Sequence, residues 1–165
     1  MADVVMLVVR YLHILSAILW IGALGFSVMV LRRVMPRLGM PVRKEVLRQL
    51  IPVVIRFIPV AAILTIGFGA TLYLILGDFD PNVLWGTNWG LALLGALVLT
   101  LALFAFGLLV VIRASRKILV HLNEEACSHG PEMGRLTKTF NTGQVVAFVW
   151  GVVILSLMVL ATEAL

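Results

Sequence analysis

Residues 4–31 read VVMLVVRYLHILSAILWIGALGFSVMVL, and this run decides the fold. Only Arg10 and His13 can carry a charge in it. The hydrocarbon core of a bilayer is crossed by about 20 apolar residues in a helix, and this run exceeds that length. It is also longer than a signal-peptide core, and no basic residue precedes it, so it reads as a retained span.

Working outward, three more apolar runs follow, at about 52–76, 89–112 and 144–161. The second contains Arg56 near its start and Pro59 inside, and the third has no charge. None alternates apolar and polar residues as the strands of a membrane barrel would. The expected architecture is therefore all-α: one transmembrane domain over residues 1–165, an integral membrane four-helix bundle. The whole composition agrees. The chain has 165 residues, 62% hydrophobic and 13% charged, whereas soluble domains average about 45–50% apolar and about 25% charged. Four spans absorb about 80 apolar residues. A soluble enzyme, a disordered tail, a disulfide scaffold and a nucleic-acid module are all excluded by this balance. One cysteine, Cys127, leaves no intrachain disulfide to form.

The net charge is +5, and its placement explains it. Arg32, Arg33, Arg37, Arg43, Lys44 and Arg48 separate the first two runs. Arg113, Arg116, Lys117, Arg135 and Lys138 separate the last two. The remaining loop, residues 77–88, has Asp78 and Asp80 and no basic residue. The positive-inside rule then puts both basic loops in the cytoplasm and both termini on the outer side, in the inner (plasma) membrane. The basic loops suit anionic headgroups, and no nucleic-acid partner is expected. Residues 41–50, PVRKEVLRQL, place Val42, Val46, Leu47 and Leu50 at helical spacing and predict a short interfacial helix. Asn141 is expected to cap the fourth helix. His121, Glu124, Glu125, Cys127 and His129 have metal-ligating chemistry, but their spacing fits no zinc or iron–sulfur motif and reads as a solvated loop.

Two basic residues fall outside the loops, Arg10 and Arg56. Arg10 lies one turn before His13, the one histidine inside a run, with Trp20 two turns after it and Ser16 and Ser27 near the same stripe. Ionisable groups at membrane depth are costly and point to function, and this face is expected to look into the bundle. Three readings of His13 stay open: an axial ligand of haem iron, a ligand of copper or another bare metal, or a histidine hydrogen-bonded across helices. In the haem reading Arg10 pairs with a propionate and Met158 is a candidate second ligand. Arg56 either reaches the aqueous surface or holds an anionic group.

Residues 11–22, YLHILSAILWIG, resemble the first helix of the CopD/HemJ-like membrane proteins, which include copper-resistance D-type proteins and HemJ-type protoporphyrinogen oxidases. His13, Trp20 and Gly22 fit that pattern. Residues 56–69, RFIPVAAILTIGFG, are similar to the family's second helix, and residues 135–141, RLTKTFN, to the segment entering its last helix. HemJ-type enzymes have a lysine early in the third helix, and residues 89–98 have none. The resemblance implies a four-helix bundle in which His13 binds haem b, with electron transfer or oxidation of a quinol or porphyrinogen as the activity. A copper-handling role is its alternative. A non-catalytic subunit that packs in a larger membrane complex is the third expectation. With a single histidine in the spans, a bis-histidine haem needs a second chain, as in a homodimer.

Overall fold

A computed structural model describes residues 2–123 and 130–163. Among these the chain is helical apart from short connections, with no strand. The first span is α1 (Ala2–Phe26), a π-helical turn (Ser27–Leu31), α2 (Arg32–Val34) and a 3₁₀ turn (Met35–Arg37). The second is α3 (Met40–Leu76). A short α4 (Pro81–Gly86) leads to the third span, which is α5 (Asn88–Phe106), a second π-helical turn (Gly107–Ile112) and α6 (Arg113–Asn123). The fourth is α7 (Gly130–Glu163). These four rods are long and apolar enough to cross a membrane, the architecture of a multi-pass membrane protein.

The helices outrun the apolar stretches that announce them. No separate interfacial helix occupies residues 41–50, because α3 continues without a break from Met40 through Pro52 and Pro59. Pro52 lacks the N–H that would bond the carbonyl four residues back. That carbonyl belongs to Arg48, an exposed residue at the polar end of the helix, where water can take over the lost bond. The 41–50 turns are held instead by Leu47, which packs on the Ile51, Ile118 and Leu122 cluster. Likewise α7 begins eleven residues before Asn141, so Asn141 is a mid-helix residue and not a cap. The polar stretch after the third run is helical as far as Asn123, and His121 lies on α6. Glu124, Glu125, Cys127 and His129 lie outside the described residues.

Neighbouring spans run antiparallel in a ring: α1 packs on α3, α3 on α5 and α6, those on α7, and α7 back on α1. One core cluster joins Trp20, Leu24, Ala61, Ala62, Leu103, Ala147 and Ile154. The other, at the basic end, is Ile51, Ile118 and Leu122. Many of the remaining apolar residues point outward: Leu7 is 67% exposed and Val98 56%. Such an exterior suits hydrocarbon and would be an aggregation hazard in water.

At the acidic end, Asp80 caps α4 by accepting from the Asn82 N–H at 2.8 Å, and Thr87 caps α5 by accepting from the Gly90 N–H at 3.0 Å. The Tyr73 hydroxyl donates to the Leu84 carbonyl at 2.8 Å, and its ring stacks on Trp89 with centroids 6.2 Å apart. The turn between the second and third spans is thereby strapped to the bundle. Trp85 is exposed there, as an interface anchor would be.

Candidate functional site: a histidine clasped between the first two spans

The first span turns about 100° per residue. Arg10 and Ser16 therefore sit about 60° to either side of His13, and the packing separates them. Ser16, Trp20 and Ser27 are buried, His13 is half-buried, and Arg10 is exposed. The polar stripe does not enter the bundle as a unit, and no hydrogen bond or ion pair joins Arg10 to His13. The serines are satisfied by their own helix: Ser16 Oγ donates to the carbonyls of Leu12 (2.8 Å) and His13 (3.0 Å), and Ser27 Oγ to that of Ala23 (2.9 Å).

His13 crosses to the second span. Its Nδ1 lies 2.9 Å from the carbonyl oxygen of Thr65. A carbonyl can only accept, so Nδ1 carries the hydrogen and donates. In the neutral ring the lone pair then sits on Nε2. Gly69 makes this approach feasible. A side-chain carbon at that position would lie 2.8 Å from His13 Cε1 and 3.1 Å from Nδ1, so the ring occupies the notch left by the missing Cβ. Gly69 is one turn beyond Thr65, and its bareness opens the path to that carbonyl. The Thr65 hydroxyl does not take part, since it donates to the Ala61 carbonyl at 2.8 Å.

Nε2 makes no hydrogen bond in the chain. Among the described residues no sealed-in side-chain nitrogen or oxygen lacks a partner, so Nε2 is not sealed in. A histidine whose first nitrogen donates to a carbonyl and whose second is open has the form of a metal-ligating imidazole. Among the described residues no group of three or more His, Cys, Asp or Glu gathers that could hold a metal ion.

None of the other expected site residues, Arg10, Trp20, Arg56 and Met158, hydrogen-bonds to His13. Trp20 is 5% exposed and belongs to the core cluster. Met158 packs on that cluster from the fourth span, whereas the His13 ring is bonded to the second. Arg56 is exposed on α3, nine residues and about 14 Å of helix from Thr65. It lines a shallow groove with Pro52, Val53, Phe57 and Val60. Sequence reasoning missed Thr65 and Gly69 as the partners of His13, although both lie in residues 56–69. That stretch and residues 11–22 are the two that meet at this contact.

A second feature has no counterpart in the sequence reading. At the basic end a cavity of about 800 Å³ opens between all four spans, with Ser27, Arg32, Lys44, Ser115 and Gln144 on its lining. His13 lines neither this cavity nor the groove at Arg56.

Compared with family models, with curated proteins and with solved structures, the chain gives no match.

Proposed function

We propose that this is a membrane haem protein of the CopD/HemJ-like kind in which His13 Nε2 is the axial ligand of a b-type haem. The observation that supports this reading is the Nδ1–Thr65 bond, which fixes the hydrogen on one nitrogen and leaves the other unbonded and not sealed in. The donor fits haem iron. Neither the cavity at the basic end nor the groove at Arg56 reaches His13, so in this reading neither of them seats the porphyrin. A second axial ligand then comes from another chain, and a homodimer supplies one by symmetry. Bound haem would carry one electron at a time, for transfer or for oxidation of a hydrophobic donor such as a quinol or porphyrinogen. The protein's own contribution is to hold the imidazole at one angle. The basic end faces the cytoplasm of the inner membrane in this reading, and both termini face outward.

The test is the visible spectrum of gently extracted protein from haem-replete cells. A Soret band is expected that is lost in His13→Ala. A colourless wild-type protein would overturn the proposal. The same bond favours a second reading, in which His13 only pins α1 to α3 and the protein packs in a larger complex. That reading expects His13→Ala to weaken assembly with no change in any spectrum.

A further inference from the structure

The cavity at the basic end is a different problem from His13 and does not depend on it. Its volume, about 800 Å³, lies in the range of small-molecule sites. Apolar side chains form most of its wall, among them Leu31, Leu47, Ile51, Ile118 and Phe140. Three cations, Arg32, Arg43 and Lys44, stand on the lining, and among the described residues no Asp or Glu does. Positive charge on an apolar wall asks for an anion attached to a hydrocarbon.

Gln144 adds a second, independent indication. It is 6% exposed, lines the cavity and makes no hydrogen bond with the chain. Its amide is not sealed in, since no such atom exists among the described residues. The amide therefore opens on the cavity, with two donors and one acceptor oxygen unused. The two serines on the lining differ in kind: Ser27 and Ser115 each donate to the carbonyl four residues back, at 2.9 Å and 2.8 Å, whereas the side chains of Thr137 and Asn141, also on the lining, make no hydrogen bond with the chain.

The backbone is distorted at the same place. Both π-helical turns pack on α7. Ser27 and Leu31, from the first, line the cavity directly. The second presents Val111, whose Cγ2 lies 3.1 Å from where a Cβ on Gly143 would be, next to Gln144. Single π turns inside α-helices concentrate at functional sites.

We propose that this cavity seats one anionic phospholipid from the leaflet at the basic end, its phosphate on Arg32, Arg43 and Lys44 and its glycerol ester carbonyls on the Gln144 amide. Basic pockets between membrane helices take such headgroups. Acyl chains lie against the apolar wall.

The full chain is reconstituted in phosphatidylcholine vesicles containing a minor fraction of phosphatidylglycerol, extracted in mild detergent, and its lipid adducts are counted by native mass spectrometry. The wild type is expected to retain one phosphatidylglycerol per chain. Gln144→Leu, and separately the triple variant R32Q/R43Q/K44Q, should lower that retention by about tenfold or more. R113Q/R116Q, which removes charge at the same end but off the lining, should retain it as the wild type does. Gln144→Leu replaces an unpartnered amide with an apolar group, so the lipid-free variant should melt no lower than the wild type. Equal loss in R113Q/R116Q would reduce the effect to diffuse charge and overturn the proposal. Undiminished retention in Gln144→Leu would overturn it too, leaving a water-filled vestibule. Displacement of the lipid by inorganic phosphate alone would show a phosphate site without a lipid role, and so overturn it as well.

Discussion

In the half of the bundle around His13, buried polar groups are consumed within the protein. Ser16, Thr65 and Thr100 each donate to a carbonyl one turn back, and His13 Nδ1 donates across to Thr65. The helices meet closely there, on Gly69 and on Gly25, where a Cβ would lie 3.0 Å from the Phe148 ring. In the half around Gln144 the helices stand apart, the amide is bonded to nothing, and cations line the gap. Both halves are built from the same four spans with the same apolar exterior. The difference lies in which residues line the interior: Ala61, Ala62 and Ala147 pack with Trp20, Leu24, Leu103 and Ile154 in one half, whereas long flexible Met35 and Met133 stand on the cavity lining in the other. Close packing fixes a side chain for one role, and loose packing leaves room for a guest.

Removing bulk from each half should break this comparison if it is wrong. Leu103, 2% exposed in the first cluster, should cost about 2–5 kcal/mol when cut to alanine, because its neighbours cannot collapse into the space. Ile118→Ala faces an existing void and should cost less than half as much. Thermal unfolding in one detergent measures both, and equal losses would mean the halves are packed alike. Next in size is Gly69→Leu. It drives side-chain atoms into the His13 ring and should destabilise by about 1–3 kcal/mol, with loss of any Soret band. Gly67→Leu, where no atom lies within 4 Å of the added Cβ, is the matched control and should leave both readouts unchanged. The smallest effect should come from Tyr73→Phe. Losing its bond to the Leu84 carbonyl should cost about 0.5–1.5 kcal/mol. Amide exchange should quicken in residues 77–90, with the spectrum and the retained lipid unaltered.

The comparison also marks how far sequence can be read. Four spans are legible because a bilayer demands long apolar runs, and residues 4–31, 52–76, 89–112 and 144–161 supply them. Their true ends are not legible. Residues 113–123, RASRKILVHLN, are amphipathic, and beyond the bilayer a helix no longer needs to be apolar. His13 stands out as an ionisable group in a span. Its partner does not, because the acceptor is a backbone carbonyl and every residue has one. Gly69 carried a faint signal, as a small residue at a helix crossing. The cavity carried none: Arg32, Lys44, Ser115 and Gln144 are ordinary residues in four separate segments, and only the tertiary arrangement makes them neighbours.

The two π-helical turns have one more effect. A turn that closes its hydrogen bond on the fifth residue holds one residue more than an α turn, and one residue is about 100° of rotation. Each turn therefore resets the phase of the helix beyond it. Ser27–Leu31 decides which way Arg32 points, and Gly107–Ile112 decides which of Ser115, Ile118 and Leu122 look inward. Deleting a single residue from either turn would leave composition and length almost untouched and swing the basic half of that span by more than a quarter of a circle.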